Sequence, residues 1–167
     1  MRSKGFDGMV CSIAEVMAAI GDRWGMLILR DLVLGLRRYD EFRDSSGITN
    51  ATLSDRLKHL EASGLIERRA YQQNPERFEY LLTRSGREVG ALMPVIAQIG
   101  DQLGASAPPM TFLNRKTGAQ VQWAFIDQMT GEQVNAKDLV IEAGPGADDL
   151  VRWRLSQGEQ HRGKARA

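Results

Sequence analysis

Thr49, Asn50, Thr52, Asp55, Arg56, Lys58 and His59 put hydroxyl, amide, carboxylate and cationic groups into one short stretch. Nothing in it has the nucleophile–base spacing of a catalytic site, so the chemistry on offer is hydrogen bonding to another surface. Leu53, Leu57 and Leu60 recur through the same stretch at i, i+4 and i+7, which makes it one α-helix with an apolar stripe behind a polar face. Thr49 can cap its start by accepting from a first-turn amide, and Ser63-Gly64 stops it. Such a face suits the major groove of DNA, where base edges differ in donors and acceptors, with Arg56 and Lys58 in reach of phosphate. An ordinary amphipathic surface helix would carry the same stripe. The neighbouring elements decide between the two.

Ahead of it, residues 1–10 form a flexible lead-in. Cys11 to Ile20 carries a helical stripe of Ile13, Val16, Met17 and Ile20 ended by Gly21. Asp22 caps a helix over 23–34 that is apolar on most sides, the central core helix. Tyr39 to Asp44 makes a short helix with acidic residues in its first turn, as the helix dipole favours. After Gly64 the period changes, and 65–71 and 78–82 read as two strands of a hairpin with a polar tip over 72–77. Thr83 or Ser85 then opens a helix whose apolar ladder (Val89, Leu92, Met93, Ile96, Ile99, Leu103) runs to Gly104, with Pro94 predicting a kink. A ladder of that length asks for a partner helix, most simply in a homodimer, or else for a place folded back on the domain's own core.

The totals are mild. A chain of 167 residues with 43% hydrophobic and 26% charged residues can build a packed core. The net charge is +1, so binding to nucleic acid must rest on where charge is placed. From Arg37 to Arg87 there are ten Lys/Arg against eight Asp/Glu, a net of +2. Arg38 and Arg77 stand beside the short helix and at the hairpin tip, where a winged fold meets phosphate. One cysteine excludes an intramolecular disulfide, and neither a cleavable leader nor a membrane span is visible. The expectation is a cytoplasmic protein that is not an enzyme, has no cofactor and does not touch membrane.

Helices, a polar-faced helix and then a hairpin follow one another in winged helix-turn-helix order. Residues 11–104 resemble the HxlR-type family of winged helix-turn-helix transcriptional regulators. The motifs are Ile20-Gly21-x-Arg23-Trp24, Arg38-Tyr39-x-Glu41-Phe42, Gly47-Ile48-Thr49, Leu53-Ser54-x-Arg56-Leu57-Lys58-x-Leu60 and Glu79-Tyr80-x-Leu82-Thr83-x-x-Gly86. The resemblance implies a homodimer on double-stranded DNA at an inverted repeat, with the first and last domain helices pairing and the recognition helices in successive major grooves. The expected contacts are Arg38, Thr49, Asn50, Thr52, Asp55, Arg56, Lys58, His59 and Arg77. The fold class is therefore α+β, a winged helix-turn-helix domain (11–104) followed by a small β-rich extension. Gross charge near zero leaves one rival from another class, a winged helix that binds protein without specific DNA binding.

Residues 105–110 read as a linker, 111–155 as a ribbon-like extension and 156–167 as a disordered basic tail. Asn114 to Val121 and Asp127 to Val134 repeat a turn glycine before a β-favouring run, and Leu139 to Glu142 reads as a further strand. The extension resembles the ribbon tail of some members of the same family, in which paired Cys or His residues hold zinc. Asn114, Thr117, Asp127 and Thr130 stand at the matching positions, so this ribbon is expected to be metal-free, with Asn114 and Asp127 closing each turn by hydrogen bonds. Trp123 and Trp153 are expected to pack it. Cys11 is the candidate redox sensor, for an oxidant effector beside any small-molecule one, or else an inert half-buried residue at the dimer seam.

Overall fold

The computed structural model describes residues 5, 6, 8–104 and 107–164. Parts of the expected lead-in (1–4 and 7), linker (105–106) and tail (165–167) lie outside the described residues. The chain divides into two compact units, Glu15–Gln122, and Met1–Ala14 with Trp123–Ala167.

The larger unit is a helical helix-turn-helix domain with a β-hairpin wing. Its elements are α1 (Ser12–Ile20, begun in the other unit), α2 (Arg23–Leu34), α3 (Tyr39–Ser46), α4 (Asn50–Ala62), β1 (Ile66–Gln73), β2 (Glu76–Leu82), α5 (Arg84–Gly90) and α6 (Leu92–Leu103). Asp22 Oδ1 accepts from the Trp24 and Gly25 amides at 2.9 and 3.1 Å, which starts α2 at the expected residue. Ile20, Ile28, Leu29, Leu32, Phe42 and Ile48 meet Leu53, Leu57 and Leu60 of α4 and Leu65 and Ile66 of β1 in one buried cluster. The three leucines of α4 therefore fix which face of that helix remains for solvent. Asp31 is buried among these apolar groups, its Oδ1 taking Arg30 Nη2 at 2.8 Å and the Ser45 hydroxyl at 3.0 Å. That contact ties α2 to the end of α3.

β1 and β2 pair antiparallel from Ile66↔Leu82 to Gln73↔Glu76, with an irregularity between Ala70 and Gln72. The strands reach further than expected, so the wing tip is Asn74-Pro75 and not the whole of 72–77. A third edge joins them: the Tyr80 amide donates to the Arg37 carbonyl at 2.8 Å, and Arg38 bridges Glu79. Two residues are too few to show a period, which is why this edge is invisible in the sequence.

The long helix expected after the wing is two helices. Thr83 caps α5, accepting from the Gly86 amide at 3.1 Å, and the chain breaks at Ala91. Pro94 explains the position: in an unbroken helix its ring would strike the Gly90 carbonyl, whereas in the first turn of α6 its missing N–H costs nothing. Val89 and Met93 turn into the unit, and Leu92, Ile96, Ile99 and Leu103 are exposed. Residues 107–122 belong to this unit by contact, with Gln98 Nε2 donating to the Val121 carbonyl at 3.1 Å.

In the smaller unit β3 (Phe125–Ile126) pairs with β4 (Gln133–Val134), a 3-10 turn spans Ala136–Asp138, and α7 runs Asp149–Lys164. Asp148 Oδ1 accepts from the Val151 amide at 2.7 Å and starts α7. Residues 139–142 are not a strand, since no neighbouring strand offers them a ladder. The helix continues through 156–164, where a disordered tail was expected; Leu155, Gln157, Glu159 and Gln160 favour helix enough to extend it. Trp123 stacks edge-on to Phe125 at 5.3 Å, whereas Trp153 is exposed on α7.

Candidate nucleic-acid interface

With Leu53, Leu57 and Leu60 buried, the line of α4 that faces outward is Ala51, Asp55, Lys58 and Ala62, all exposed and spaced i, i+4, i+7 and i+11. Asn50 is exposed at its start. Thr49 Oγ1 accepts from the Thr52 amide at 3.4 Å and lies 2.9 Å from the Thr52 hydroxyl. The two threonines thus close the helix N-terminus, where unpaired amides favour a phosphate.

Two of the expected contact residues are taken up inside the protein. Arg56 Nε lies 2.9 Å from Asp22 Oδ2, an ion contact without hydrogen-bond alignment, joining α4 to the start of α2. His59 Nε2 donates to the Ala18 carbonyl at 2.9 Å, and its ring rests on Gly21, where a Cβ would come within 3.0 Å. Both sit on the edge of the polar face that turns toward α1 and α2. They hold the helix in place, and on this geometry His59 belongs to the fold and not to the outward stripe.

Arg38 and Arg77 come together. Both line a groove of 530 Å³ between the start of α3 and the wing, with Tyr39, Tyr71, Phe78 and Tyr80 among its walls. The Arg38 guanidinium stacks over the Tyr71 ring at 4.8 Å, and Arg77 is exposed next to the tip. The wing's other arginines are engaged, Arg68 over Phe78 at 4.3 Å and Arg69 on Glu79 at 2.6 Å. Tyr39 links the groove to α4, its hydroxyl donating to the Asn50 carbonyl at 2.8 Å and lying 3.0 Å from Ser54 Oγ. Sequence reasoning passed over Tyr39 as a site residue, although it stands inside the Arg38-Tyr39-x-Glu41-Phe42 motif.

Glu41 sets the entry to α3. Its Oε2 accepts from the Arg37 amide at 2.7 Å and the Arg38 amide at 2.8 Å. These bonds hold its carboxyl below the ordinary 4.5. A depressed folded value stabilises the protein above the unfolded value, and that contribution is lost as pH falls through the folded one. Thermal melts of wild type and Glu41→Gln should therefore differ at neutral pH and converge only as pH falls through the depressed folded value. A constant gap across that range would mean the charge does no capping.

The four knuckle positions of the extension hold hydrogen bonds. In the first knuckle Asn114 Oδ1 accepts from Lys116 N at 2.8 Å and Thr117 Oγ1 from Ala119 N at 3.3 Å. In the second, Asp127 Oδ1 accepts from Met129 N at 2.7 Å and Thr130 N at 3.1 Å, and Thr130 Oγ1 from Glu132 N at 3.2 Å. Gly118 and Gly131 complete the turns at φ of 69° and 71°, a conformation that disfavours side chains. Among the described residues no three His, Cys, Asp or Glu side chains gather as a metal-ligand set. Cys11 is half-buried immediately before α1. Among the described residues no helix is long and apolar enough to cross a membrane.

Comparison with known proteins points the same way. Residues 19–107 match the model of the HxlR-like helix-turn-helix family. HTH-type transcriptional regulators of Mycobacterium tuberculosis and Mycobacterium bovis, themselves uncharacterised, are 35% identical over 137 residues, which is 81% of this chain and 87% of theirs. A solved structure of a proposed transcription factor from Pseudomonas aeruginosa superposes with a TM-score of 0.61 at 31% identity, covering 87% of this chain and all of that one. A second proposed transcription factor, PA1607, gives a TM-score of 0.67 at 27% identity over 84% of this chain and all of its own.

Proposed function

Since the chain belongs to the HxlR-like helix-turn-helix family of DNA-binding transcriptional regulators, and not to a family of enzymes, we propose that it acts as a homodimer on an inverted-repeat operator. The observation that carries the dimer is the outward line of α6. Leu92, Ile96, Ile99 and Leu103 are 43%, 44%, 41% and 85% exposed, at steps of four, three and four residues. That is the seam spacing of paired helices, and it is left uncovered in a single chain. A two-fold dimer places two copies of α4 about one helical turn of DNA apart, so the operator mirrors the symmetry.

Within each half-site, Thr49, Asn50 and Thr52 seat the start of α4 against the backbone, and Asp55 and Lys58 face the groove. Arg38 and Arg77, on one groove beside the wing, take the flanking phosphates. Arg56 and His59 act through position, holding α4 against Asp22 and Ala18. Cys11 is the candidate thiol for an oxidant effector.

The test is fluorescence anisotropy of the purified protein on DNA from upstream of its own gene, across a salt series, reduced and then oxidised. Tight, salt-sensitive binding at one inverted repeat supports the regulator reading; loss on oxidation supports the sensor. Lys58→Ala should weaken binding and lower the salt slope by about 1, as removal of one phosphate contact does. Wild-type affinity and slope in that variant would remove Lys58 from the interface. Only weak, nonspecific binding at every salt would favour the protein-interaction module.

A further inference from the structure

Between α2, α6 and residues 110–112, all within the helical unit, lies an apolar slot of about 160 Å³. Met26, Met93, Ala97, Met110 and Phe112 wall it, and the exposed Leu34 and Ile96 stand at its rim. The slot opens to the surface, with Val33 and Met110 also part-exposed along it. Arg30 also borders the slot, but its guanidinium is committed elsewhere, Nε to Asp31 Oδ1 at 2.9 Å and Nη2 to Ser45 Oγ at 3.2 Å. What it turns to the slot is its hydrocarbon stem.

We propose that this slot is a binding site for a small, neutral, apolar molecule of one or two aromatic rings. Three arguments select that occupant. Its volume is close to the about 150 Å³ that holds benzene in an enclosed apolar cavity, so the slot has room for a ring. No polar side chain offers a partner, so a charged or strongly hydrogen-bonding ligand would be desolvated without compensation. Three of the five wall residues named are methionines, whose unbranched, polarisable side chains reshape around aromatic guests. The outward seam of α6 runs along a different line from Met93 and Ala97 and shares only Ile96 with the rim. The slot therefore stands whether or not the dimer reading does.

The experiment titrates the full chain, its methionine methyls labelled with carbon-13, with benzene and separately with indole. Expected are saturable shifts at the Met26, Met93 and Met110 methyls, none at Met129, which is 96% exposed elsewhere, and a melting temperature raised by a few degrees near saturation. Ala97→Phe, which fills the slot, should abolish both responses; if that variant does not fold, the wild-type methyl shifts decide alone. Shifts of equal size at Met129, or binding retained in folded Ala97→Phe, overturn the site. So does a slot whose methyls respond to protein dilution and to neither probe, since a second copy would then be its occupant.

Discussion

Gly25→Ala and Gly86→Ala are each expected to cost the helical unit about 3 kcal/mol or more, at the upper end of what overpacking does. A Cβ on Gly25 would stand 2.0 Å from the Ile20 carbonyl oxygen, and one on Gly86 would stand 1.9 Å from that of Leu65. In both cases the obstacle is backbone, not the tip of a side chain, and neither carbonyl has room to retreat. Ile20 closes α1 with its side chain in the core. The Leu65 carbonyl already accepts the Thr83 amide at 3.1 Å and the Thr83 hydroxyl at 3.3 Å. Relief means moving α2 off α1, or α5 off the root of the wing. With total stabilities of about 5–15 kcal/mol, either variant should melt on the order of 10 °C below wild type or fail to fold. Gly144→Ala meets nothing within 4 Å and should melt within about a degree of wild type, as open surface substitutions do. Melts of Gly25→Ala and Gly86→Ala that match this control would show that the close approaches are not a feature of the folded protein.

These two contacts also show where the sequence was legible and where it was not. The bounds of α2 and α4 are readable because their determinants are local: Asp22 and Thr49 cap within three residues, and the leucine stripe needs only its own period. Gly86 stands in a motif that marks the family, yet its reason, the Leu65 carbonyl, lies 21 positions back along the chain. The leucine stripe puts Arg56 on a flank of α4 and Lys58 and His59 together on the polar face, so the period alone does not tell His59 from Lys58. What separates them is the direction of α1 and α2, a tertiary fact that no window over α4 contains. The pairing of Arg37 and Arg38 with β2 was hidden for the same reason. Pro94 announced an interruption, but only the ring's clash with the carbonyl four residues earlier puts the break at Ala91. In the extension, the capped turns at Asn114 and Asp127 were legible from side-chain type. The fate of 139–142 was not, because a strand exists only where a neighbour accepts its hydrogen bonds.

Ile99→Asp should turn the protein into a monomer and weaken operator binding by about 10²–10⁴-fold, the range lost when two linked contacts become one. Ile99 is 41% exposed in the single chain and does not line the slot beneath α6. A carboxylate there is solvated in the monomer, so the full-length variant should keep the folded circular dichroism spectrum of wild type, with a melting transition that no longer depends on protein concentration. In the dimer the same carboxylate meets its own copy across a two-fold axis or is buried among leucines, and an unpaired buried charge is strongly unfavourable. The effect thus falls on association and not on folding, which sedimentation and circular dichroism separate. Ile99→Leu keeps the seam apolar and should stay dimeric with operator affinity near that of wild type. A dimeric Ile99→Asp with wild-type affinity would move the interface off α6. A monomeric one that still bound tightly would show that each α4 acts alone, and the inverted repeat would then have no structural cause.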